Sequence, residues 1–149
     1  MDKINFQNLP NTTTPVNATN LNQLQTNVEN AINAITTVTT ESITPASGVT
    51  MSTYSYLRKN GKVVDFYYQF NGIAISADTV TTVGTLPEGF RPNKSFVCDA
   101  KFNYGYSSSG GTQYAALINI KNNGEIQFLS HNALTASHIV RIKTSYIMN

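Results

Sequence analysis

The sequence predicts a mainly β chain: an N-terminal arm, a short α-helical trimeric neck, and an antiparallel β-sandwich or jelly-roll head. Two changes of pattern along its 149 residues carry that expectation. Between Leu21 and Val38 the apolar residues fall alternately three and four positions apart, the a/d spacing of a coiled coil. From about residue 49 the period becomes two, and short alternating runs are separated by Asn-Gly pairs and other turn residues. The expected bounds are residues 1–18 for the arm, 19–40 for the neck helix, 41–48 for a linker and 49–149 for the head.

The arm is polar and carries Pro10 and Pro15 with almost no regular period, so it should be extended and held by a neighbour. Asn20 can cap the neck helix, with Gln23 reaching back three positions later. The apolar stripe consists of Leu21, Leu24, Val28, Ala31, Ile35 and Val38, with Ile32 widening the seam. Apolar residues at both a and d, flanked by uncharged Gln25 and Asn27, disfavour a narrow dimer set by charges and make a homotrimer the leading state. A dimer, or a monomer whose helix folds back on the head, is the alternative. The helix should fade where Thr36, Thr37, Thr39 and Thr40 accumulate, and Pro45 forbids continuation.

In the head, Val64, Phe66, Tyr68 and Phe70 alternate with Val63, Asp65, Tyr67 and Gln69 between Asn60-Gly61 and Asn71-Gly72, which predicts two consecutive hairpins. Phe96, Cys98, Ala100 and Phe102 share one face of the next run, and a buried structural thiol is the reading for Cys98. Tyr114, Ala116, Ile118 and Ile120 lead through Asn122, Asn123 and Gly124 into Glu125 to Phe128, another hairpin. The last strand alternates Val140, Ile142, Thr144, Tyr146 and Met148 against Ile139, Arg141, Lys143, Ser145 and Ile147. Both faces keep apolar character, so one should pack inside the subunit and the other against a neighbour.

Composition narrows the function classes. Charged residues supply 12% of the chain, about half the usual share, while Thr and Asn together supply about a quarter. A net charge of +2 is too small and too dispersed to predict a nucleic-acid partner. No apolar run is long enough for membrane insertion, and the N-terminus lacks the apolar core of a signal peptide. A single cysteine excludes an intrachain disulfide. His131 and His138, seven residues apart with no third ligand at a clear spacing, are a weak basis for a metal. No metal or cofactor is expected.

The leader INFQNLPNTTTPVNATNLNQLQTNVENAI resembles the N-terminal attachment segment of small structural proteins in the tails of phages that infect Gram-positive bacteria. The run GTLPEGFRPNKSF (Gly84 to Phe96) and the later NNGEIQF (Asn122 to Phe128) resemble the C-terminal β-domains of phage tail fibres and baseplate receptor-binding proteins. The resemblance implies a tail-tip or baseplate protein, made in the host cytoplasm, whose residues 1–18 dock to other tail proteins and whose trimeric heads recognise host cell-wall polysaccharide. Within the second motif, Pro87, Gly89 and Pro92 should fix a corner between strands, with Phe90 covering the core beneath. The chain departs from the pattern in having no long triple-helical shaft and no tryptophan.

Saccharide recognition needs aromatic faces for C–H groups and amides or hydroxyls for sugar hydroxyls. Tyr104 and Tyr106, followed by Ser107, Ser108 and Ser109, have both on one loop, and His131 and Asn132 form a second candidate rim. The competing reading places the two tyrosines on a sheet face and leaves the serines as a hairpin tip. Arg141 and Lys143 could meet an anionic wall polymer, or simply solvate a strand face. Asp65, Asp78, Glu88, Asp99 and Glu125 provide carboxyl groups, but no pair stands in a recognisable catalytic context, so no enzymatic step is expected. Two alternatives remain: a purely structural baseplate or fibre protein without its own receptor site, and a non-viral trimeric adhesin.

Overall fold

The computed structural model describes residues 18–104 and 113–148, with the Tyr104 side chain left aside. The attachment arm, Tyr106 and Ser108 lie outside the described residues. The chain divides between Thr37 and Val38 into two units.

The first unit is described by helix α1 (Ala18–Thr36). It is already helical at Ala18, so Asn20 sits inside it rather than capping it. Side chains four residues apart bond along its surface, the Gln23 amide donating from Nε2 to Asn27 Oδ1 at 2.9 Å and the Gln25 amide from Nε2 to the Glu29 carboxylate at 3.3 Å. No residue of the helix is buried, and its stripe residues Leu24, Val28, Ile32 and Ile35 are exposed. A 19-residue helix with no buried face is marginal by itself in water.

The second unit is a curled antiparallel sheet. Its strands are β1 (Val38–Glu41), β2 (Thr44–Pro45), β3 (Thr50–Met51), β4 (Tyr56–Asn60), β5 (Val63–Asn71), β6 (Thr81–Thr85), β7 (Phe96–Tyr104), β8 (Tyr114–Ile120), β9 (Glu125–Leu129) and β10 (His138–Ile147). Their order is β1-β4-β5-β10-β7-β8-β9-β6-β2, with β3 also on β5. The period-two runs each turn one face inward: Val64, Phe66, Tyr68 and Phe70 from β5, Ala100 and Phe102 from β7, Ile118 and Ile120 from β8, Ile126 and Phe128 from β9, Val140 and Ile142 from β10. Each large apolar side chain so buried contributes roughly 1.5–3 kcal/mol by removal from water.

The curl brings together strands that are far apart in the sheet order. Phe70 on β5 meets Phe128 on β9 edge to face at 6.5 Å, and Phe102 on β7 meets Phe128 at 5.8 Å. Tyr68 donates its hydroxyl to Val83 O at 2.8 Å, joining β5 to β6. Close approach there requires Gly84, where a Cβ would stand 3.1 Å from the Tyr68 hydroxyl and 3.2 Å from Thr44 O. The β6–β9 register shifts between Thr82 and Gly84 at the same point.

Three boundaries differ from the sequence expectation. The neck helix stops at Thr36, and Val38, expected at its seam, opens β1 opposite Asn60. The threonines that weaken a helix serve a strand instead, because β4 offers an edge for them. The span 41–48 is part of the sheet rather than a linker: β2 pairs with β6, and Ile43 is buried. The β unit therefore begins at Val38, before residue 49.

The Asn60-Gly61 hairpin joins β4 to β5, with Gly61 at φ 57°. The second expected hairpin does not form. Beyond Gly72 the chain leaves the sheet, since the far edge of β5 is taken by β10 along its length. Residues 73–80 run instead beside 130–137, through the Ile75–Leu134 bridge and Asp78 N–H to Ser130 O at 2.8 Å. The Asn122-Asn123-Gly124 turn does join β8 to β9.

The proline-rich corner forms as expected. Residues Glu88–Phe90 make a single 3₁₀ turn with Phe90 buried, and Tyr146 donates its hydroxyl to Phe90 O. Lys59 closes the corner from outside, with Nζ 3.0 Å from Gly89 O and 4.9 Å from the Phe90 ring centroid.

Candidate functional site

The outward faces of β7, β8 and β10 carry the polar groups that a ligand could meet. Antiparallel register sets Arg141 directly opposite Lys101 and Ile139 opposite Asn103, while Lys101 faces Ala115 on its other side. Arg141 donates from Nη1 to Asn103 Oδ1 at 2.8 Å, which turns the guanidinium toward β7. Asp99, Lys101, Asn103, Gln113 and Arg141 line a hollow of about 280 Å³ at the end of β7 and β8.

A second hollow of about 130 Å³ adjoins it, sharing Asp99 and running over Ala115, Leu117 and Leu129 to His131. Its floor is apolar and its ends carry a carboxylate and an imidazole. His131 Nδ1 pairs with Asp78 Oδ1, both side chains being largely exposed. Asp78 holds this position in the left-handed region at φ 57°, tolerated by aspartate better than by most residues. Asn132 is exposed beside it, its N–H bonded to Ser130 Oγ at 3.0 Å.

The sequence-predicted site residues thus fall at two places. Tyr104 closes β7 opposite His138 and next to the larger hollow, and Tyr106 and Ser108 follow it outside the described residues. His131 stands at the far end of the smaller hollow, and the exposed Asn132 follows it in the chain. Lys101, Asn103 and Gln113 were not singled out from the sequence, because only the β7–β10 register places Lys101 beside Arg141, 40 positions away.

The two histidines have opposite surroundings. His138 is buried against Phe102 and Tyr114, edge to face at 5.2 and 6.0 Å, and its Nδ1 accepts Thr135 N–H at 2.8 Å. Burial holds its pKa below the ordinary value of 6.5. They do not converge, and no group of three His, Cys, Asp or Glu suited to a metal exists among the described residues. Cys98 lies half-buried on the inner face of β7, its thiol pushed up to about 11 by burial and by the neighbouring Asp99. That disfavours the thiolate and fits a packing role.

Of the carboxylates, Asp65 accepts Ser145 Oγ at 2.5 Å on the outer face of the β5–β10 pair, and Glu125 pairs with Lys121 at 3.2 Å.

No protein-family model matches the chain, and no curated protein matches it. Among solved structures the curled sheet has the fold of receptor-binding domains from phages that infect Gram-positive bacteria. The chain is similar to the receptor-binding head domain of lactococcal phage bIL170, with a TM-score of 0.60 and 19% identity over 76% of this chain and 100% of that one. It is also similar to gp15, the receptor-binding protein of Listeria phage PSA, with a TM-score of 0.55 and 14% identity over 88% of this chain and 77% of that one. The second match covers more than the β unit supplies, so it reaches into the segment before Val38.

Proposed function

We propose that this chain is a phage tail receptor-binding protein that attaches the virion to host cell-wall polysaccharide by noncovalent recognition, without a catalytic step. The observation that carries the reading is the β unit's likeness to the whole of a receptor-binding head. The arm docks to other tail or baseplate proteins. The exposed stripe of α1 supports a trimeric coiled-coil neck, since three copies would cover what one leaves in water. Each neck carries a sandwich or jelly-roll head, and threefold symmetry multiplies weak sugar contacts into avidity. Sugar contacts are assigned to Tyr104, which ends β7, to Tyr106 and Ser108 after it in the sequence, and to His131 at the smaller hollow with Asn132 next to it in the chain.

The test is sedimentation of the purified full chain with cell walls from a panel of Gram-positive bacteria, lactococcal and Listeria strains included, before and after the walls are stripped of polysaccharide. Binding lost on stripping supports the reading. No binding to any wall across the panel overturns it.

A second reading, a structural baseplate or fibre protein whose head is a trimerisation cap, is favoured by the exposed apolar patch of Val97 on β7, Leu117 on β8 and Val80 just ahead of β6. It predicts trimers that assemble into tails and ignore walls.

A further inference from the structure

Resting on the receptor-binding reading, we propose that the hollow lined by β7, Arg141 of β10 and Gln113 just ahead of β8 is an oxyanion subsite, so that the saccharide recognised carries phosphate or carboxylate groups. Two cations, Lys101 and Arg141, are direct cross-strand partners on the outer face. Opposed like charges with side-chain origins about 5 Å apart destabilise a sheet, and a bound anion converts that repulsion into attraction. Lys101 forms no ion pair among the described residues, and Lys143 adds a third cation farther along the exposed face of β10. Asp99, the hollow's one carboxylate, leaves it net positive.

The geometry suits a charged sugar better than a free ion. The Arg141 guanidinium is held by Asn103, which fixes the direction of a planar fork able to grip two oxygens of one anion. Asn103 and Gln113 offer amides for hydroxyls, and the methylene stems of Lys101 and Arg141 offer apolar surface for ring C–H groups. At about 280 Å³ the hollow lies at the small end of ligand sites, the scale of one residue of a polymer rather than a long segment. The adjoining hollow, sharing Asp99, provides room for the next residue toward His131.

The experiment is an amide-shift NMR titration of the full chain with glucose 1-phosphate, glucuronate and glucose. Glucose 1-phosphate or glucuronate should move Asp99 to Asn103, Gln113 and Arg141 and bind about tenfold more tightly than glucose, the difference one charge-assisted contact makes. The tighter of the two charged probes tells phosphate from carboxylate. Lys101→Gln should lose that advantage, Lys101→Arg should keep it, and Lys143→Gln should change it little. Equal binding of all three probes, shifts confined to other strands, or an unchanged advantage in Lys101→Gln overturns the subsite. Wall binding separates the two proposals. A protein that sediments with walls yet shows no preference for charged probes refutes only the oxyanion site, and the reverse result refutes only the receptor reading.

Discussion

The hydroxyl of Tyr68 donates to the carbonyl of Val83 across the interior, although four strands stand between β5 and β6 in the sheet order. The bond marks where the curl brings the two walls of the sheet together. It adds to the bond that the same carbonyl accepts from Ala46 N–H at 3.2 Å, at the β6 irregularity where the pairing with β9 shifts register. Burial holds the phenol far above its ordinary pKa, so it remains a donor throughout the working pH range.

Tyr68→Phe keeps the ring and removes the donor, leaving Val83 O with the longer bond from Ala46 N–H at 3.2 Å as its remaining partner. We expect a loss of about 0.5–1.5 kcal/mol, read as a lower midpoint in urea with an unchanged slope. An unchanged midpoint would mean that water or a shifted strand replaces the bond.

Gly124 tests the β8–β9 turn against the corner it abuts. It lies at φ 96°, and an added Cβ would stand 2.8 Å from Leu86 O and 2.7 Å from Arg91 Nε. Gly124→Ala is therefore strained in backbone and in space, and should cost about 1–3 kcal/mol. Asn123→Ala, which removes only the side-chain bond to Glu125 N–H, should cost less. A thermal melt ranking the two variants the other way would show that the corner yields easily.

Acid should weaken the head through His138. Its folded pKa is lowered, so the unfolded chain binds a proton that the folded chain refuses as pH falls below about 6.5. This contribution is at full strength above that value and is lost progressively down to the folded pKa. His138→Asn retains an acceptor for Thr135 N–H without titrating. Its melting temperature should change less between pH 7.5 and 5.5 than that of the parent protein. Parallel pH profiles would place the acid sensitivity elsewhere.

How much of this was legible depended on the distance over which information had to travel. The inward faces of β5, β7, β8, β9 and β10 follow from period two, because alternation is local and the core accepts every second residue. Phe90 under its proline corner was legible for the same reason. Strand order was not, since the pairing of Val64 with Tyr146 spans almost the whole head. β1 and β2 were hidden because Thr39, Thr40 and Thr44 weaken a helix without announcing which edge will take them. The charged hollow had the same difficulty: Arg141 could be suspected alone, but Lys101 joins it only through register.

The neck makes the most direct demand on assembly. In a single chain Val28 and Ile32 stand exposed on α1, so replacing both with Asp adds charge where water already reaches and should leave the head's melting unchanged. In a trimer the same two positions lie at the seam, and three pairs of carboxylates would have to be desolvated beside one another. Light scattering on the parent chain should give about three times 16.3 kDa, and the double variant should fall toward the single-chain mass. A parent mass near 16.3 kDa would remove the trimer, and a trimeric double variant would move the contact from the helix to the heads. Walls displaying repeated sugars add a second readout. If avidity supplies the binding, the monomeric variant should lose wall attachment while its amide shifts with glucose 1-phosphate stay as they were, because each subsite lies within one head.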